Sequence, residues 1–146
     1  MASPLRRLRA RALKAVFAAH TAIYEFSDGR VGTGSSFPML LLSVTGRKTG
    51  RTRTTPLVYF RDGDSYVVVG SDGAARRDPQ WWRNLQARPE GQIRVGRDVF
   101  PVETRLAEGA ERERLWELGK SVNPAWARYQ KRTQRVLPVV VLRPVQ

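Results

Sequence analysis

The chain has 146 residues, no cysteine and one histidine, and its 26 lysines and arginines against 13 acidic residues leave a formal charge of +13. That excludes disulfides, cysteine-ligated zinc and thiol catalysis, and a single His20 argues against a histidine-rich metal site or a multi-histidine catalytic centre. A hydrophobic share of 41% suits one folded domain with a real core rather than a disordered basic tail, and the charge calls for an anionic partner: nucleic acid, an anionic membrane surface or a small polyanion.

Residues 5–24 are predicted as a helix. Leu5, Leu8, Ala12, Val16, Ala19 and Ile23 recur on one face, and Arg6, Arg7, Arg9, Arg11 and Lys14 take up much of the rest. Such a basic amphipathic helix either docks on its own domain or lies on an anionic membrane. The run SDGRVGTGSS at 27–36 reads as a loop, so 1–36 forms an appendage to a main domain over 37–146. Strands at 39–45, 52–60 and 65–71, joined by turns at 46–50 and 61–64, predict a three-stranded antiparallel meander.

Asp78-Pro79 opens a helix that runs to Ala87, with Asp78 as N-cap and Pro79 at the first position. A hairpin over 92–95 and 99–105 follows, then helices over 110–121 and 124–135. The last strand is 136–142, where Pro138 marks an edge or a strand start. No apolar run approaches the roughly 18–20 residues of a membrane-spanning helix, and no secretory signal is read, so the cytoplasm is the expected location. Hairpins dominate the order, which favours a mainly β (α+β) fold: a small antiparallel barrel with peripheral helices.

Chemistry concentrates at Thr45-Gly46-Arg47-Lys48-Thr49-Gly50-Arg51-Thr52-Arg53, where four cations and three hydroxyls share one turn and its flanks. Glycines let backbone N–H groups approach an anion closely. The spacing is not that of a P-loop, because Gly46 and Gly50 are one residue too close and no Lys-Ser/Thr pair follows Gly50. Strand alternation puts Arg47, Thr49, Arg51 and Arg53 on one side if the turn is extended, and Thr54, Pro56 and Val58 on another stripe. Small residues at Ser71-Asp72-Gly73-Ala74, before the Asp78-Pro79 helix, permit close approach of an anionic ligand.

Trp81 and Trp82 are either core or a stacking surface. Trp126 and Tyr129, three apart on one helical face, either wall a pocket or pack the core, and the Tyr129 hydroxyl is a candidate proton donor. No serine–histidine–acid set and no convergent carboxylate pair stands out. An enzyme built on this chain therefore leaves its chemistry to a cofactor.

Taken in order, LLLSVTGRKTGRTRTTPLVYFRDGDSYVVVGSDGAARRDPQWWRNLQARPE resembles the signature of the deazaflavin-dependent nitroreductase family. The likeness continues through Tyr129-Gln130, Thr133, Arg135 and the closing PVVVLRP. These are actinobacterial-type oxidoreductases with a split β-barrel related to flavin-reductase-like FMN-binding proteins. The resemblance implies coenzyme F420, a deazaflavin with a phosphate and an oligoglutamate tail, whose C5 position transfers hydride.

By the same resemblance Arg47, Lys48, Thr49 and Arg53 bind the phosphate and tail. Pro56 and Val58 line the ring pocket, and Gly70 and Ser71 approach the ring with Trp81 nearby. Asn123, Trp126 and Tyr129 face the acceptor, and Tyr129 protonates the product. A quinone-like acceptor is expected ahead of a nitroaromatic one, since Asn123 and Trp126 stand where a tyrosine-rich wall is common. Asp72 stands where many members carry Lys or Asn. The implied partner is a small-molecule electron acceptor, with contact to the inner face of an anionic membrane through the basic helix. No nucleic acid is expected, because no helix-turn-helix or RNP-like motif is present. The rival readings are an FMN- or haem-like-ligand binder on the same fold and a non-catalytic carrier.

Overall fold

The computed structural model describes residues 37–145. The predicted 5–24 helix and the 27–36 loop lie outside the described residues. Seven antiparallel strands form one curled sheet: β1 Met39–Thr45, β2 Thr52–Val58, β3 Phe60–Asp62, β4 Ser65–Val69, β5 Glu90–Val95, β6 Asp98–Leu106 and β7 Val139–Pro144. Their order is β2-β1-β5-β6-β7-β4-β3. Among the described residues three α-helices accompany the sheet, α1 Gln80–Ala87, α2 Gly109–Val122 and α3 Ala125–Arg132. This is the mainly β barrel with peripheral helices expected from the hairpin pattern, but its connectivity differs in one respect.

The predicted meander is broken. β1 and β2 pair as expected, from Thr45↔Thr52 to Met39↔Val58. β4 pairs instead with the short β3 and with β7. Only Tyr59 separates β2 from β3 in the chain, yet these strands are the two edges of the sheet. Tyr59 makes the break: its N–H donates to the Pro38 carbonyl at 3.1 Å, and its ring meets Tyr66 edge-on at 5.3 Å. Burial, then the nearby Tyr66, hold its phenol above the ordinary value, so it stays neutral.

The reason for the rearrangement is burial. The runs YVVV in β4 and VVVL in β7 are buried on both faces, and the backbone N–H and C=O groups of such a strand, out of reach of water, are best paired along both edges. β7 accordingly lies between β6 and β4, and Pro138 marks a strand start rather than an edge. Alternate residues of β4 and β7 then feed two cores. Tyr66, Val68, Val140 and Leu142 join Leu40, Leu42, Ile93 and Val102 inside the curl, which α1 covers with Trp81, Trp82 and Leu85. Val67, Val69, Val139 and Val141 join Phe60, Leu115, Leu137 and Trp126 under α2 and α3.

Exposed ion pairs tie α2 to the sheet: Arg114 to Asp62 of β3, and Glu111 to Arg105 of β6. The guanidinium hydrogen bonds hold the Asp62 and Glu111 carboxyls below their ordinary values. Two helix boundaries differ from the sequence pattern. Pro79, not Asp78, caps α1, its carbonyl accepting from the N–H groups of Trp82 at 3.1 Å and Arg83 at 3.2 Å. The Asp78 carboxylate is taken by Arg135 at 2.9 Å and is not free to cap. α3 ends at Arg132, because Gln130 turns the chain beyond it. Its amide donates to the Arg135 carbonyl at 2.8 Å and accepts from the Leu137 N–H at 2.9 Å.

Candidate functional site: a cationic cavity between the first hairpin and helix α1

The tip of the β1–β2 hairpin is built tightly. The Gly46 N–H donates to Arg51 O and the Gly50 N–H to Gly46 O, each at 2.8 Å, and the Thr49 hydroxyl accepts from the Arg51 N–H at 3.2 Å. A Cβ on Gly46 would sit 2.9 Å from Thr49 Oγ1 and 3.1 Å from Arg51 O. The closed turn therefore requires glycine there.

Arg47 is bound to α1 at both ends of the residue. Its backbone N–H donates to Asn84 Oδ1 at 3.1 Å, and its Nη1 donates to Asn84 Oδ1 at 2.7 Å and to Gln80 Oε1 at 2.9 Å. Its Nη2 is buried and has no hydrogen-bond partner. A buried guanidinium donor without an acceptor is costly, and native structures seldom keep one without a ligand, ion or water to fill it.

That nitrogen belongs to a residue lining a cavity of about 550 Å³ between the hairpin and α1. Lys48, Thr49, Arg53, Thr55 and Trp81 line the same space, and no carboxylate does. Lys48 and Arg53 are exposed. The result is a mouth of uncompensated positive charge above a half-buried, rigidly held arginine.

The structure thus brings together five of the cofactor-binding residues that the resemblance implies: Arg47, Lys48, Thr49, Arg53 and Trp81. Trp81 serves as both core and cavity wall, being 6% exposed and beside Trp82. Pro56 and Val58 do not line this cavity. They fall on the face of β2 opposite Arg53 and Thr55, where Val58 packs against the cluster that holds Trp126 and receives half-buried Tyr129. Thr54, on the side of Pro56 and Val58, nonetheless lines the cavity, while Leu57, on the side of Arg53, packs on the inner core. Trp126 is a core residue, 3% exposed, its ring 5.9 Å from Phe60. Asn123 is buried too, and its side-chain oxygen accepts from the Ala125 N–H at 3.1 Å at the start of α3.

Gly70 and Ser71 lie elsewhere again. A Cβ on Gly70 would come 2.6 Å from the Pro138 ring, so packing alone demands glycine there. The carbonyls of both residues accept from Arg135. Asp72 is exposed and does not line the cavity.

Gln80 and Asn84 also contribute, and their spacing carries the signal: they are four apart, hence on one face of α1. The role of Arg135 had no local signal. Among the described residues no cluster of His, Cys, Asp and Glu is arranged to hold a metal.

Comparisons with known proteins agree on one group. The family model of the F420H2-dependent quinone reductases matches residues 16–144. An F420H2-dependent quinone reductase of Mycobacterium tuberculosis is 42% identical over 128 residues, 84% of this chain and 86% of the relative. Among solved structures, an F420-H2 dependent reductase is 35% identical with a TM-score of 0.67, the match covering 72% of this chain and 93% of the other. A heme binding protein from Mycobacterium smegmatis, 18% identical at a TM-score of 0.59, shares the fold alone.

Proposed function

This chain belongs to the F420H2-dependent quinone reductase family, and from that premise we propose that its cationic cavity receives the phosphate and acidic tail of the cofactor. The chain is an oxidoreductase that uses reduced coenzyme F420 with a quinone-type acceptor. When bound, the cofactor supplies the hydride.

The observation that carries the cavity assignment is the buried Arg47 Nη2 without an acceptor. The donor set fits an anion: one guanidinium fixed by two side-chain amides, two exposed cations and several threonine hydroxyls, with no carboxylate among them. Arg47 is held before any ligand arrives, so little ordering is left to oppose binding. Lys48 and Arg53, both exposed, draw a polyanion in and neutralise it, each contributing about 1 kcal/mol.

The other face of β2 offers Pro56 and Val58 as an apolar rest for a planar ring. Tyr129 packs on the same cluster as Val58, which supports its role as the hydroxyl that meets the acceptor and returns a proton to it. Gly70 and Ser71 contribute through the loop they begin.

Fluorescence titration tests this reading. The protein binds F420 in preference to FMN, and both Lys48→Ala and Arg53→Ala weaken binding. A preference for FMN, or unchanged affinity in both variants, overturns it.

The acceptor class also bears on where the protein works. We infer a peripheral contact with an anionic membrane, where apolar quinones dissolve. Arg128, Lys131 and Arg132 are exposed at helical spacing along one side of α3, the helix that carries Tyr129. No helix among the described residues is long and apolar enough to cross a membrane. Sedimentation with phosphatidylglycerol vesicles captures the protein at low salt and releases it at high salt; capture by phosphatidylcholine alone, or none at all, removes this inference.

A further inference from the structure

The segment between β4 and α1 is held in an uncommon conformation. Three successive residues have left-handed backbones: Asp72 at φ 43°, Gly73 at 60° and Ala74 at 67°. Two of them carry a Cβ, so the turn is strained and persists only because its surroundings over-determine it. The restraint comes from the far end of the chain. Arg135 Nη1 donates to Gly70 O and to Asp78 Oδ1, both at 2.9 Å. Its Nη2 donates to Ser71 O and its Nε to Ala75 O, both at 2.7 Å. One planar fork thus grips the loop before, after and at the end of the strained turn.

Arg135 is itself held. Its carbonyl takes the Gln130 amide, and its N–H reaches the Thr133 hydroxyl at 3.4 Å. The last grip, Asp78, is two residues before α1 begins, and α1 supplies the Gln80 and Asn84 oxygens that aim Arg47 into the cavity.

We infer that Arg135 is a positioning residue for the cofactor site: by clamping the left-handed loop it fixes the start of α1, and through Gln80 and Asn84 the orientation of Arg47. This rests on the reading of the cavity given above. Lysine keeps the charge at 135 but not the fork, so it cannot satisfy four acceptors spread around the loop.

The test is Arg135→Lys, with two readouts that a purely structural role does not move together. In steady-state kinetics the KM for reduced F420 rises about tenfold while kcat stays within about twofold, since a misaimed Arg47 weakens binding rather than chemistry. An unchanged KM, including a fall in kcat alone as expected from loss of folded enzyme, overturns the inference.

The second readout needs no cofactor. Arg76 and Arg77 are exposed in the clamped loop, and in Arg135→Lys trypsin cuts after them about tenfold faster than in the wild type, relative to cleavage after Arg97 in the β5–β6 turn. Equal cleavage in the two proteins means that no clamp exists. A wild type that fails to bind F420 removes the cavity reading, while the protease comparison still decides the clamp.

Discussion

Arg47 and Arg135 both keep a guanidinium largely out of solvent, and they differ in what meets it. Arg135 has three backbone carbonyls and the Asp78 carboxylate, and its side chain is 13% exposed. Its charge has a counter-ion and nearly all its donors have acceptors. Arg47 has two neutral side-chain amides on one nitrogen and nothing on the other, with no acid lining the space beside it. The first arrangement completes itself and holds the fold. The second leaves a donor open, as the proposed anion site requires. Burial alone does not separate a structural arginine from a receptor; the tally of donors against acceptors does.

Substituting each arginine sharpens the contrast. Arg135→Ala leaves three carbonyls and a carboxylate without their donor, and we expect a loss of about 3 kcal/mol in urea denaturation. A loss well under 1 kcal/mol would return Arg135 to the class of ordinary surface cations. Arg47→Ala is expected to act the other way round. F420 affinity falls about 10–100-fold, one or two charge-assisted bonds, while the urea midpoint holds or rises, because an unsatisfied buried donor has gone. A clear loss of stability without loss of affinity would make Arg47 a second structural arginine.

Lys48→Ala and Arg53→Ala are milder, about 3–10-fold each in the same titration, since both side chains are exposed. Their effects shrink as salt is raised.

The smallest effect belongs to the exposed pair between Arg105 and Glu111, which neither buries a charge nor awaits a ligand. The arginine hydrogen bond holds the Glu111 carboxyl below its ordinary 4.5. A carboxyl depressed by folding adds stability that is whole above its unfolded value and fades as pH falls through its folded value. Glu111→Gln therefore lowers the denaturation midpoint slightly at pH 7. The gap to wild type closes as pH drops below 4.5; a gap that persists in acid would mean that the side chain acts through packing instead.

Much of the fold is legible in the residues themselves. β1 runs from Met39 to Thr45 as its short apolar run and its closing glycine lead one to expect, and β5–β6 turns at Gly96-Arg97. The cationic turn announces itself by composition, and Trp81 by its place just inside a helix. What stayed hidden has a common cause. Tyr59 looks like any strand residue, and only the packing of its ring on Tyr66 and the demand of β4 for two neighbours show why the chain breaks there. Asn123 and Trp126 enter as acceptor-facing residues through the family resemblance, and their burial shows only once the chain has folded.

The sequence by itself determined most of the elements, the positive charge at the hairpin tip and the kinship that goes with them, because these depend on neighbours a few residues apart. Tertiary structure alone decided which strands pair, which residues of β2 line the cavity, and that a guanidinium at 135 grips carbonyls some sixty residues away. Backbone carbonyls occur at every residue and leave no mark in a sequence, so a side chain whose partners are carbonyls shows its purpose only when the chain has closed around it.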